Sequence, residues 1–189
     1  MTRAQADALA AELEAASELA RGLAREFSPR ELGEPPVPDG WSAADNLMHL
    51  TLSSEALIPR MTRTLGKLAE SGRRSDGPTP SDWVGRVYAR FLEPPVRLRV
   101  KAPRPFVPAS GKTAAEALPA FLAAQRAVVA LVDQSVGLDL AARKVPSPFS
   151  RYVQYNIYSA FRIFTAHERR HLWQARRAAL AVRDRAAAS

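Results

Sequence analysis

FRIFTAHERRHLWQARR, residues 161–177, is the stretch on which the fold turns. Its apolar residues recur at steps of three and four, so the segment is an amphipathic helix with one face toward a core. At roughly 100° per residue, Val153, Ile157, Ala160, Ile163 and Phe164 fall on the same stripe as His167 and His171, while Arg162, Arg169 and Arg176 fall opposite. Arg170 and Arg177 lie on a flank. Two imidazoles four residues apart therefore point inward one turn apart, where one metal ion could bind both. Inward imidazoles carry ring nitrogens that must find partners in an apolar interior. Hydrogen-bonded core histidines are the alternative reading of this segment.

Outward from that stretch, a last helix is predicted from about residue 150 to 187, and three more precede it. Residues 3–27 carry Leu9, Leu13, Ala16, Ala20, Leu23 and Phe27 at helical spacing. The proline-rich run SPRELGEPPVPDG ends that helix. WSAAD then opens a second, with Ser42 as N-cap and Asp45 three residues on, where its carboxylate can reach back to the cap amide. This helix is expected to reach about Glu70, kinked or split near Ile58 by Pro59. Residues 71–80 read as loop, and SDWVGRVYARFLE as one extra short helix before Pro94 and Pro95. RLRVKAPRPFVPASG is too rich in proline for a helix; only its RLRV start resembles a strand, and the whole reads as a long crossover. A helix from about Thr113 to Ser135 follows, with Pro119 in its first turns, and the chain then turns over the surface to Phe149. No internal repeat or low-complexity linker interrupts the 189 residues. The expected architecture is all-α: a single-domain four-helix bundle over 1–189 with a long crossover connection.

His49 is the third of only three histidines and lies seven residues beyond the Ser42 cap, among the apolar Leu47, Leu50, Leu52, Ala56 and Leu57. If its helix faces the last one, His49, His167 and His171 supply three neutral nitrogen ligands and leave positions open for water or substrate. Three imidazoles suit zinc, nickel, iron or copper, so they do not set the identity of the metal. Gln174 extends the same stripe and could hydrogen-bond a metal-bound water, a substrate or a ligand histidine. Asp45 could orient His49, but the cap already accounts for it. His-Glu-Arg-Arg-His also fits the short HExxH pattern, in which Glu168 would be a general base. The downstream ligands of those peptidases are missing, Gln174 and Arg177 standing where a glycine and a third histidine would be. Glu168 reads instead as a boundary carboxylate.

Composition narrows the chemistry. The chain has no cysteine, which removes disulfides, thiolate ligands and cysteine nucleophiles; any thiol must come from outside. The first twenty-odd residues carry acids throughout, so they form neither a signal peptide nor a membrane span, and a cytoplasmic location without membrane contact is expected. The formal charge of +8 is carried by dispersed arginines, with lysine only at 67, 101, 112 and 144. No aromatic-interleaved basic motif, zinc-finger spacing or glycine-rich phosphate loop accompanies it, so nothing points to specific nucleic-acid binding. Exposed apolar faces and the short helix around Trp83 would permit a homodimer.

GWSAADNLMHL, KAPRPFVP and HERRHLWQARR, in that order and at those separations, resemble the signature regions of the DinB-like family of damage-inducible, metal-dependent proteins. The resemblance covers most of the chain. It implies a four-helix bundle with a long crossover and one divalent metal held by His49, His167 and His171, with Gln174 near the site. It also implies a range of activities on small-molecule substrates. Relatives include transferases using the low-molecular-weight thiols mycothiol or bacillithiol, and a thiol-dependent maleylpyruvate isomerase. The expectation is thus a metal-dependent transferase activating a thiol cosubstrate, with a metal-dependent hydrolase, or a non-catalytic metal-binding or nucleic-acid-associated module, as alternatives.

Overall fold

The computed structural model describes residues 1–95, 100–109, 111–150 and 152–188. It is all-α but for one small hairpin, with α1 (Arg3–Glu26), α2 (Pro29–Gly33), α3 (Ala43–Glu70), α4 (Trp83–Leu92), α5 (Ala114–Gln134), β1 (Lys144–Pro146), β2 (Gln154–Asn156) and α6 (Ile157–Ala187) in chain order. α1 and α3 each pack on both α5 and α6, so the four long helices form a ring with α1 diagonal to α3. Residues 100–109, with a short helical turn at Arg104–Phe106, form part of the crossover between α4 and α5. The strand-like RLRV start lies outside the described residues except for Val100.

Local chemistry sets the helix starts. Thr2 with Gln5, Ser42 with Asp45, and Thr113 with Glu116 each form a reciprocal capping box, satisfying amides that the first turn leaves without intrahelical partners. Ser42 Oγ accepts from the Asp45 amide at 3.0 Å, and Asp45 Oδ2 accepts from the Ser42 amide at 2.9 Å. Asp45 is thus committed to the cap, as its position in the sequence suggests.

Three boundaries differ from the sequence reading. α3 runs unbroken through Pro59, which is exposed, removes a single donor on the outer side of the helix and leaves the packed face, Leu57, Met61 and Leu65, intact. The proline-rich run after α1 contains the short α2, started by a Ser28–Glu31 capping box with Pro29 in the first turn. α6 starts at Ile157 rather than near 150, because Asn156 caps it by accepting from the Ser159 amide at 2.7 Å. The preceding residues pair instead as the antiparallel β1–β2 hairpin, Val145 opposite Tyr155. Val153 therefore belongs to the hairpin arm, not to the helical stripe.

The core divides along the bundle. Leu9, Leu13, Met61, Leu65, Phe161 and Phe164 belong to one cluster; Leu23, Phe27, Leu47, Leu50, Phe121 and Leu172 belong to the other. α5 is long and apolar enough to cross a membrane by length and composition, and it packs here on α1 and α3. α4 lies tightly against α6: a Cβ on Gly85 would stand 2.2 Å from Ser159 Cβ and Oγ, so only glycine permits this approach. Asp82 ties the two together, capping α4 at the Gly85 amide and accepting from the Ser159 hydroxyl at 3.2 Å.

Candidate metal centre

α3 brings His49, and α6 brings His167 and His171, to one buried point where the two core clusters meet. They are 3, 7 and 8% exposed, and one nitrogen from each lies within 4.8 Å of the other two. Burial of this kind requires that each imidazole find partners. His49 Nδ1 donates to the carbonyl oxygen of Phe106 at 2.7 Å, in the crossover. His171 Nδ1 donates to Asn46 Oδ1 at 2.9 Å, and the Asn46 amide nitrogen donates to the Ser42 carbonyl at 2.9 Å, which fixes the amide's orientation. Since both acceptors lack a proton to give, Nδ1 carries the hydrogen on each ring and Nε2 keeps its lone pair.

Nε2 of His49 and Nε2 of His167 are 3.2 Å apart. Two nitrogens each about 2.0–2.1 Å from one ion would be separated by about 2.9 Å at a right angle and about 3.4 Å at the tetrahedral angle, so this spacing suits a shared ion. The orienting bonds to Phe106 and Asn46 are the outer-sphere partners that metal-ligating histidines ordinarily have.

The electrostatics favour the neutral, ligand form. Burial lowers the pKa of His49, opposed by the bond to the Phe106 carbonyl. Burial takes His167 and His171 well below the ordinary histidine value, helped by the neighbouring imidazoles and by the Arg170 cation. Aromatic rings wall the cluster: Trp41 lies 4.9 Å from His49 and 6.0 Å from His171, and Phe149 lies 5.4 Å from His167 and 4.6 Å from Phe106, centroid to centroid.

Glu168 is elsewhere. It is fully buried rather than a boundary residue, and its polar neighbour is Gln125 of α5, so it does not stand as a base at the imidazole edges. Burial pushes its carboxyl well above the usual carboxylate range, against the hydrogen-bonding influence of Gln125. Among the described residues neither carboxylate oxygen accepts a hydrogen bond of good geometry, and Gln125 Oε1 likewise lacks a donor. A protonated Glu168 supplies the hydrogen that would join them. Gln174 is half-buried one turn beyond His171, its amide without a hydrogen-bond partner among the described residues.

Asn46, Phe106, Trp41 and Phe149 escaped the sequence reading. A polar Asn46 one turn before an inward histidine could have signalled its role. Phe106 acts through its backbone carbonyl, 57 residues from His49, and no side-chain pattern encodes that.

The model of the DinB superfamily matches residues 12–175, which takes in all three histidines. The chain belongs to the DinB superfamily. No curated protein and no solved structure matches it significantly. Among DinB-superfamily features that the sequence suggested, the helical bundle, the crossover and the three-histidine cluster are all present in this chain.

Proposed function

We propose that this DinB-superfamily protein is a metal-dependent enzyme in which Nε2 of His49, His167 and His171 hold one divalent ion, and that it uses a low-molecular-weight thiol to attack a small electrophile. The observation that carries the metal reading is the pair of buried Nδ1–H bonds, to Phe106 and Asn46, which turn lone pairs toward a common point. A bound ion would supply Lewis acidity, lowering the pKa of a thiol or water presented to it. The protein holds the imidazoles neutral and in register, excludes bulk water with Trp41 and Phe149, and offers the Gln174 amide one turn away for orienting a bound molecule.

Transfer to a thiol is favoured over hydrolysis by what surrounds the site. A water nucleophile needs a positioned base, and Glu168, the carboxylate that the HExxH pattern offers, is turned to Gln125. A thiol gives up its proton far more readily and needs less help. The chain supplies no cysteine, so the thiol is a cosubstrate.

One observation also suits a metal-free, non-catalytic protein: His167 Nε2–H could donate to His49 Nε2 across the same 3.2 Å. Metal analysis of untagged protein separates the readings. About one equivalent is expected; less than about a tenth, with no binding on titration, refutes the enzyme proposal. With metal bound, consumption of a chromogenic aryl halide should depend on added thiol, and equal turnover by water alone would refute the transferase reading.

A further inference from the structure

We propose that α4 and the crossover dock this protein on an anionic membrane surface, with α4 lying in the headgroup layer. The large apolar side chains exposed among the described residues are not scattered: seven of nine lie on α4, the crossover or the β1–β2 loop, Leu19 and Val37 being the other two. On α4, Trp83, Val87 and Phe91 follow one another at steps of four and form one outward ridge, 69, 48 and 46% exposed. The opposite side of the helix, at Gly85, is the one that packs on α6. Val100 and Val107 of the crossover and Tyr152 of the β1–β2 loop carry the exposed apolar surface onward. These segments adjoin, since α4 packs on β2, and Phe106 of the crossover meets Phe149 of the loop with ring centroids 4.6 Å apart. Single exposed apolar residues are ordinary, whereas a run of this kind marks a contact surface.

Charge selects the partner. Arg86, Arg90, Lys101 and Arg104 are exposed on α4 and the crossover, and none of them pairs with a carboxylate among the described residues. Arg86 donates to the Ser81 carbonyl instead, at 2.8 Å. Glu93 is the one acid between residues 83 and 109, and Arg169 engages it. On α6, by contrast, Arg162 and Arg169 are neutralised by Glu12, Arg176 by Glu26 and Arg183 by Glu31. A second copy of the chain laid on the ridge would set these cations against their own equivalents. A helical peptide needs a groove, and α4 is a ridge outside the ring of four long helices. Nucleic acid answers the cations and can stack on Trp83 or Phe91, but it offers little to Val87, Val100 and Val107. An anionic bilayer answers all of them: tryptophan favours the interface, valine and phenyl groups enter the acyl boundary, and the cations meet lipid headgroups. The expectation of a chain without membrane contact came from the first helix, which is neither leader nor span; α4 needs no span to lie on a surface.

Cosedimentation of the full chain with vesicles tests this, comparing phosphatidylcholine alone with an equimolar mixture of phosphatidylcholine and phosphatidylglycerol. Partitioning into the anionic vesicles should exceed that into the neutral ones at least about tenfold, since each cation held at such a surface raises it about fivefold. Added salt should reduce the excess. Trp83→Ser combined with Val87→Ser should lower binding to the anionic vesicles at least about tenfold, through the apolar area no longer buried in the bilayer. Arg86→Gln combined with Arg90→Gln should lower it comparably, while Leu19→Ser, at an exposed apolar position on α1, should leave it within about twofold. No excess on anionic vesicles in the wild type, or an excess that survives Trp83→Ser with Val87→Ser, overturns the proposal. If that double variant loses its helical circular dichroism, Trp83→Ser alone decides. Dimerisation without lipid, measured by sedimentation equilibrium and lost in the same variant, would give the ridge to a second copy and overturn membrane docking.

Discussion

Replacing Asn46 with alanine should weaken metal binding without touching a ligand. Asn46 is 3% exposed, and its Oδ1 is the acceptor, at 2.9 Å, for the Nδ1–H of His171. In the variant that N–H is left in a dry interior, which costs about 1–3 kcal/mol. The ring can recover a partner only by rotating or by changing tautomer, and either takes the Nε2 lone pair away from His49 and His167. Loss of such orienting partners typically lowers metal affinity about 10–100-fold, or about 1.4–2.7 kcal/mol. Competition against a chelator of known affinity reads this directly, and the melting temperature of metal-free protein reads the stability cost separately. Asn46→Asp provides the contrast, because a carboxylate also accepts from Nδ1–H and should hold affinity well above that of Asn46→Ala. Unchanged affinity in Asn46→Ala, with the protein folded, would refute the claim that the Nδ1 bond fixes His171 as a ligand.

Gly85→Ala should destabilise the protein by about 1–3 kcal/mol in denaturant titrations, since the new methyl meets Ser159 at 2.2 Å and α4 must shift off α6. Glu168→Gln should stabilise it near neutral pH. The folded-state pKa of Glu168 is raised, so the native protein binds a proton that the unfolded chain releases above its ordinary value of 4.5; stability falls as pH rises through that window, and the variant's advantage should vanish at lower pH. An equal advantage at every pH would contradict this. For the histidines the sign reverses. Their folded pKa values lie below 6.5, so the unfolded chain binds more protons below that pH, and metal-free protein should lose stability as pH falls from 6.5, by up to about 1.4 kcal/mol per pH unit for each ring. Metal should be released over the same acid range, and a pH-independent melting temperature between neutrality and mild acid would speak against buried, neutral imidazoles.

The sequence alone determined the features governed by neighbours along the chain. Capping boxes at Ser42 and Thr113, the inward phase of His167 and His171, and the outward placement of Arg162 and Arg176 all follow from periodicity and local hydrogen bonding, which act within a few residues. The start of α6 was misplaced because Val153 fits a helical stripe as well as a strand, and the choice fell to the pairing of β1 with β2 and to the Asn156 cap. Glu168 shows the same limit: phase puts it on a flank, and only the bundle, which sets it facing Gln125 of α5, makes that flank interior. What joins His49 to the other two histidines is likewise tertiary. Phe106 O and Asn46 Oδ1 reach rings 57 and 125 residues away, through a backbone carbonyl and a buried amide whose partners no local rule specifies. The helices and the two-histidine face are therefore properties of the chain, and the three-nitrogen centre, with the Arg170 charge beside it, is a property of the bundle.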